Sequence, residues 1–309
     1  MVDEGSVQLA RLVDVDNPAA ILEESKRIFR YWYDEADWEP VGKAFSTIID
    51  LFAGRFSGYH ACDTDYHNIT HTLSVLLTTA RISDGLFVRN GPYPADLACD
   101  LYIAALCHDT GYIRKFGEEG GTGARFTSLH VARSALFAQA NAGHFKLGEG
   151  TGMVVRHERL SRFIFATGLK GEYDEQAWAN VQEREAGSIL ATADLVGQMS
   201  DRTYLEKLLF LYYEFREAGF SGYETEFDIL RKTMSFYELT LARLDGPFHG
   251  VRSYVRDHFR ERYGIDKDLC AESMEHQMQY LQNMLDDASS NFRKKLKRMD
   301  LELSQPVTT

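Results

Sequence analysis

Proline is scarce in this chain, and the few prolines are widely spaced. Six occur in 309 residues, so long stretches lack the residue that interrupts helices most strongly. Apolar residues recur at helical spacing, as at Ile21, Ile28 and Trp32. No convincing strand hairpin, internal repeat or low-complexity linker is present. The sequence therefore predicts an all-α protein.

Cysteine and long apolar runs are also scarce. No cysteine belongs to a CxxC pair, which favours buried free thiols in a reducing compartment. No stretch approaches the roughly 18 consecutive apolar residues of a membrane span. The acidic N-terminus lacks the pattern of a signal peptide. We therefore expect a cytoplasmic protein that makes no membrane contact.

Positive charge is in deficit. The chain has 34 Lys and Arg against 46 Asp and Glu, a net charge of −12. Duplex nucleic acid and anionic membranes both select basic surfaces, so neither is an expected partner. A small phosphorylated substrate would have to be met locally, by a metal ion or an arginine cluster. The sequence is compatible with a homo-oligomer but does not fix the oligomeric state.

The predicted organisation is a single helical domain over residues 18–286. A polar N-terminal segment, 1–17, precedes it, and a basic and then polar tail, 287–309, follows it. Within the domain, the apolar periodicity predicts helices near residues 18–36, 41–56, 127–140, 151–168, 178–200, 201–217, 224–244 and 270–286.

One predicted helix stands out because it is apolar on all sides. Residues 95–108 are almost wholly apolar, which is typical of a helix at the centre of a fold. Its C-terminal end carries His108 and Asp109. The glycine-rich segment 117–124 that follows lacks the GxxxxGK[ST] pattern, so we interpret it as a loop and not as a phosphate-binding loop.

Histidine and aspartate residues recur through the middle of the chain. His67 and His71 are four residues apart in a helix that we expect Thr64 or Asp65 to cap, which places both on one face about 5–6 Å apart. Imidazole and carboxylate groups suit divalent first-row metals. A single buried histidine is more often a core residue, so the argument depends on the whole series. The other members are His108, Asp109, His130, His157 and Asp194.

The order of four of these residues, with their flanking sequence, resembles a known superfamily. His71, the pair His108–Asp109 in AALCHDTGY and Asp194 in ILATADLVGQM are similar to the HD-domain superfamily of metal-dependent phosphohydrolases. The resemblance covers roughly residues 45–215. It implies an all-α HD-domain bundle with additional C-terminal helices, and hydrolysis of a phosphoester by a metal-activated water.

A second element refines the resemblance. The segment DYHNITH looks like the YHNxxH element of cyclic-nucleotide phosphodiesterases. That likeness implies that His71 binds metal and that His67 is a general acid, with a structural or supporting role as the alternative. Asn68 is then placed to orient His67 or a ligand, or to contact substrate.

His130 and His157 lie between the His-Asp pair and Asp194, as in binuclear branches of the superfamily. Those branches include HD-GYP phosphodiesterases and diiron oxygenases of the myo-inositol oxygenase type. The resemblance implies that His130 and His157 hold a second metal and that Asp109 bridges both and is catalytic. The expected cofactor is two divalent ions per chain, with Fe, Mn, Mg and Zn all open.

The sequence also departs from two well-known branches. Tyr112 follows HDTG where HD-GYP proteins have a lysine, and no GYP motif is present. The HDxxHPG continuation of typical cyclic-nucleotide phosphodiesterases is absent as well. The resemblance therefore supplies a reaction class, with a nucleotide or cyclic nucleotide among the candidate substrates.

Cationic and polar residues near the motifs are candidate substrate contacts. Arginine binds phosphate oxygens bidentately, so Arg114 is the first candidate, with Lys115 beside it. Gln198, one turn after Asp194, is a further candidate with Asn68. The alternative for the cations is ordinary salt bridging to nearby glutamates.

Two other functions remain open from the sequence. A diiron oxygenase would use the same ligand set, although the YHNxxH element favours hydrolysis. A metal-binding or nucleotide-binding regulatory module without catalysis is the third alternative.

Overall fold

The computed structural model describes residues 7–148, 150–168, 173–287, 291–299 and 301. Within these ranges the chain forms eleven α-helices joined by loops and short 3-10 turns, and no strand beyond an isolated bridge between Tyr59 and Lys115. The predicted all-α fold is confirmed.

The helices run in chain order as follows: α1 Pro18–Phe29, α2 Glu39–Phe52, α3 Ile69–Asn90, α4 Ala95–Cys107, α5 His130–Ala140, α6 Gly150–Ala166, α7 Val181–Met199, α8 Tyr204–Glu217, α9 Glu226–Asp245, α10 Val255–Tyr263 and α11 Leu269–Asp286.

Two helices form the centre of the bundle. Every residue of α4 from Leu97 to Cys107 is buried, as the all-round apolar sequence predicts. Helix α3 is buried along most of its length and packs against α1, α4, α7 and α10. Helices α2 and α6 cover α4, while α5 packs on α6 and on the turn that follows the His-Asp pair.

The start of α3 differs from the prediction. Its N-cap is Asn68, whose side-chain oxygen accepts hydrogen bonds from the backbone N–H groups of Thr70 and His71. Neither Thr64 nor Asp65 caps the helix. His67 therefore lies before the helix, not on the same helical face as His71.

Other boundaries also move. Helix α1 ends at Phe29, short of residue 36, and a separate 3-10 turn occupies Glu35–Trp38 before α2. Helix α10 was not predicted, because the segment Val255–Tyr263 is rich in charged residues and has few apolar ones.

The apolar core is one contiguous cluster that includes residues from Val13 to Leu301. Part of the predicted polar tail belongs to it: Leu296 and Leu301 are buried, and Arg293 forms an ion pair with Glu226. Residues 1–6, 288–290, 300 and 302–309 of the predicted terminal segments lie outside the described residues.

The four cysteines are free thiols, and all except the half-buried Cys62 are buried. None of the helices in the described part of the chain is both long enough and apolar enough to cross a bilayer.

Candidate metal centre

Three segments bring the predicted ligands together at one end of the bundle core. His71 lies in the first turn of α3, where the Asn68 cap fixes the backbone. His108 directly follows the last residue of α4, and Asp109 starts the turn Thr110–Tyr112. Asp194 lies in α7, which packs along α3.

The donor atoms of this group are in mutual contact. The Nε2 atoms of His71 and His108 are 3.3 Å apart, and each is 3.2 Å from Oδ2 of Asp109. Oδ1 of Asp194 lies 3.2 Å from His71 Nε2 and 3.7 Å from His108 Nε2. His71, His108 and Asp109 form a buried group that can hold a metal ion.

These separations match the edges of a coordination polyhedron. Ligand atoms about 2.1 Å from a metal are roughly 3.0 Å apart in an octahedron and roughly 3.4 Å apart in a tetrahedron. Oδ2 of Asp109 is buried and has no hydrogen-bond partner among the described residues, as a metal-binding oxygen would. Nδ1 of His108 lies 2.8 Å from the carbonyl of Ala105, which leaves Nε2 free to bind a metal.

The electrostatics also favour a cation here. Burial lowers the pKa of His71, but the carboxylates of Asp109 and Asp194, each 3.2 Å from its Nε2, outweigh burial and raise the pKa to about 10. Burial would raise the pKa of Asp109, but His108 and His71 hold it well below its usual range. The carboxylates of Asp109 and Asp194 are thus stabilised by positive charge placed between them, which protons or a metal ion can supply.

The second oxygen of Asp109 faces a different histidine. Its Oδ1 lies 3.7 Å from Nε2 of His130, the first residue of α5. Nδ1 of His130 lies 2.6 Å from the carbonyl of Thr127, so this ring also presents Nε2 to the site. Burial lowers the pKa of His130, which favours the neutral ring that a metal requires. Asp109 therefore stands between the nitrogen donors of His71 and His108 on one side and the nitrogen donor of His130 on the other.

His67 lies beside the group and is held by a carboxylate. Its Nδ1 is 2.5 Å from Oε2 of Glu214 on α8, and Glu214 also accepts a hydrogen bond from the backbone N–H of Tyr66 at 2.7 Å. The His67 ring centroid is 5.9 Å from that of His71 and 6.2 Å from that of His130. The His67 ring is thus close to candidate metal ligands on both sides of Asp109.

An arginine holds the turn behind Asp109. Arg133 donates to the carbonyls of Gly111 and Ile113, and it forms a bidentate ion pair with Glu118 at 2.8 and 2.9 Å. At Gly111, a Cβ atom would lie 2.0 Å from the carbonyl oxygen of His130. The turn and the start of α5 therefore touch backbone to backbone.

The structure does not bring His157 to this group. Its neighbours Arg156 and Arg159 pair with Asp100 of α4, which precedes His108 by eight residues, about 12 Å of helix. Nε2 of His157 is buried without a hydrogen-bond partner among the described residues. No contact among the described residues joins His157 to the other candidate ligands, so its role as a second-metal ligand stays a prediction.

The predicted substrate contacts have other partners. Arg114 is paired with Asp63 at 2.7 Å, and Lys115 is exposed with its Nζ 5.9 Å from the ring centroid of Tyr59. Asn68 is the helix cap. Gln198 accepts a hydrogen bond from the hydroxyl of Tyr66 and donates to the carbonyl of Asp194 at 3.1 Å. Of the four, only Gln198 lines a recess beside His71.

Glu214 was missed from the sequence. It lies in LYYEF, where an acidic residue is surrounded by aromatic ones, and its side chain is only 6% exposed. A carboxylate inside an aromatic run could have indicated a functional or structural pair, because a buried carboxylate needs a hydrogen-bonding partner.

A sequence profile of a family described as Npun_R2479-like matches residues 116–244, which is less than half of the chain. The matched span contains His130, Asp194 and Glu214 but begins after His108 and Asp109. No curated protein matches this chain.

Proposed function

We propose that the chain is a metal-dependent phosphohydrolase of the HD-domain type that holds two divalent ions, one on each side of Asp109. A single observation carries the proposal: Oδ2 of Asp109 faces His71 and His108 at 3.2 Å, while Oδ1 faces His130 at 3.7 Å. A carboxylate in this position is suited to bridge two ions.

The proposed first site uses His71, His108, Asp109 and Asp194, and the second uses Asp109 and His130. Divalent ions at such sites supply Lewis acidity and an activated water for attack on phosphorus. The side chains of Asp194 and His130 are 18% and 21% exposed, against 1% for His108. Substrate would therefore approach from the side of Asp194 and His130.

His67 is the proposed proton donor to the leaving oxygen. The carboxylate of Glu214 lies 2.5 Å from Nδ1, which fixes the orientation of the ring and leaves Nε2 as the atom that gives up its proton. Arg114 is not part of the proposal, because Asp63 already neutralises it. The residues around Asp109 would hold divalent ions, and these would offset the negative charge of the phosphoester.

The decisive experiment combines metal analysis with an activity panel. Protein purified without chelators is analysed by mass spectrometry and assayed on phosphomonoesters, phosphodiesters and cyclic nucleotides. We expect close to two ions per chain and turnover of at least one phosphoester. His108→Ala should lose both, whereas the matched control His144→Ala, an exposed histidine, should keep both.

Two results would contradict the proposal. Iron with substrate-dependent oxygen uptake and no hydrolysis would replace it with an oxygenase. Full metal occupancy without turnover on the whole panel would replace it with a regulatory module.

A further inference from the structure

A second cavity lies away from the metal centre. It is formed between the N-terminal 3-10 turn, Leu9–Arg11, and α11, and its volume is about 380 Å³. Cavities of this size accommodate small molecules. It opens beside Arg202, which follows the C-terminal end of α7 and lies about two helical turns from Asp194.

Three arginines and a histidine line this cavity: Arg11, Arg202, Arg298 and His276. Among the described residues, none of the three arginines forms an ion pair with a carboxylate. Within the described part of the chain, the guanidinium of Arg298 donates to two neutral groups, the carbonyl of Arg202 and Oε1 of Gln277. The acidic lining residue, Glu272, is itself paired with Lys267 at 3.4 Å.

This concentration of positive charge is notable in an acidic protein. With 46 acidic and 34 basic residues, most arginines have a carboxylate available. The three arginines are exposed around one cavity, where an anion would be attracted by all three guanidinium groups. Arginine is also the side chain best shaped to bind phosphate oxygens through paired N–H groups.

The wall of the cavity is held in place by hydrogen bonds. Ser273 donates to the carbonyl of Ser200, and Gln277 donates to the carbonyl of Asp201, both at 2.7 Å. These bonds tie α11 to the segment that carries Arg202. Arg202 therefore projects from a segment that is fixed to α11, and Arg298 is held by its own hydrogen bonds to Arg202 and Gln277, which lowers the entropic cost of binding a ligand there.

We propose that this cavity binds a small phosphate-bearing anion, of the size and charge of pyrophosphate. No tryptophan, tyrosine or phenylalanine is among the described residues that line it, so a stacked nucleobase is not part of the recognition. The site is distinct from the metal centre and does not depend on the proposed hydrolysis.

Titration calorimetry with pyrophosphate tests the proposal. Because pyrophosphate also binds metal ions, the full chain is compared with Arg202→Gln and with the metal-centre variant Asp194→Asn. We expect Arg202→Gln to weaken binding about tenfold, as loss of a charge-assisted hydrogen bond does. Asp194→Asn and the control Arg231→Gln, an exposed arginine of α9, should bind within about twofold of the unmodified chain.

Arg11→Gln provides a second variant in case Arg202→Gln is unstable, because Arg11 lies on an exposed turn outside the core. Absence of pyrophosphate binding by the unmodified chain would overturn the proposal. So would binding that Asp194→Asn abolishes and both arginine variants retain, since the metal centre would then be the only site.

Discussion

The ring of Tyr112 lies parallel to the ring of His67, with centroids 4.2 Å apart and planes 11° apart. Tyr112 also stacks on His130, with centroids 4.5 Å apart and planes 23° apart. One buried tyrosine thus packs against both the proposed proton donor and the proposed second-site ligand, whose ring centroids are 6.2 Å apart. It fixes the spacing of the two histidines, because neither ring can tilt without displacing a side chain that is 1% exposed.

The pair His67–Glu214 predicts a dependence on the leaving group. His67→Ala should lower turnover of an alkyl phosphoester about 100-fold, because the leaving alkoxide then lacks a proton donor. A p-nitrophenyl ester should lose far less, because its leaving group departs without a proton. Steady-state kinetics on both substrates, with metal analysis, give the comparison.

The matched variants for this test are Glu214→Gln and Glu217→Gln on the same helix. Glu214→Gln should reproduce part of the loss, and Glu217→Gln should have little effect because Glu217 binds Thr122 instead. Loss of metal in His67→Ala would show that His67 is a ligand and not the proton donor.

The position of Asn68 predicts that a helix cap affects metal affinity. Asn68→Ala should destabilise the fold by about 1 kcal/mol, the usual cost of a lost N-cap. It should also weaken metal binding about tenfold, because the cap holds the backbone of His71. Denaturant unfolding and metal titration measure the two effects.

Asn17→Ala is the control for this prediction. Asn17 caps α1 in the same way, through the N–H groups of Ala19 and Ala20. The variant should lose similar stability with unchanged metal affinity. Equal metal affinity in the two variants would show that the cap does not position His71.

The close contact at Gly111 predicts that adding a single methyl group there strongly lowers the free energy of unfolding. Gly111→Ala would push a Cβ atom against the carbonyl of His130, so we expect a loss of about 3 kcal/mol or more in the free energy of unfolding. Gly143→Ala, where a Cβ meets nothing within 4 Å, should change it by less than about 0.5 kcal/mol. Thermal unfolding of the two variants measures these losses. A small loss for Gly111→Ala would show that the contact between Gly111 and the His130 carbonyl is looser than the structure has it.

Glu118 predicts a pH-dependent contribution to stability. The hydrogen bond from Arg133 lowers the pKa of Glu118 from 4.5 to about 2. Because the folded-state pKa is lowered, the contribution is complete above pH 4.5 and is lost as the pH falls through 2. Glu118→Gln should cost about 1 kcal/mol at pH 7 and progressively less below pH 4.5.

Glu119→Gln is the matched control, since the Glu119 side chain is 76% exposed and makes only a 4.0 Å contact with His60. Urea unfolding of the variants between pH 3 and pH 7 provides the measurement. A constant difference between Glu118→Gln and the unmodified chain across this range would contradict the role of the ion pair.

The sequence predicted the structure most accurately where a single physical property, such as continuous hydrophobicity, determines the local fold. The buried α4 and the position of His108 and Asp109 at its end followed from an uninterrupted apolar run. The start of α3 could not be chosen in the same way, because Thr64, Asp65 and Asn68 are all good N-caps. In the structure the preceding residues Tyr66 and His67 are held by Glu214, and Asn68 is the cap.

Long-range partners account for the remaining differences. Arg114 looked available for substrate because its partner Asp63 lies 51 positions earlier in the chain. Similarly, nothing in the local sequence of α6 shows that Arg156 and Arg159 dock on Asp100 and carry His157 away from the metal centre. These contacts depend on how helices cross, which periodicity does not specify.

The contact between His67 and Glu214 joins positions 147 residues apart, and this separation has a consequence during synthesis. At 5–20 residues per second, a ribosome needs roughly 7 to 30 seconds to travel from one residue to the other. From the completion of α4 at Cys107 until α7 begins at Val181, the apolar faces of α3 and α4 exist without α7 and α8. The nascent chain must therefore keep its most aggregation-prone segments protected until the last third of the protein has emerged.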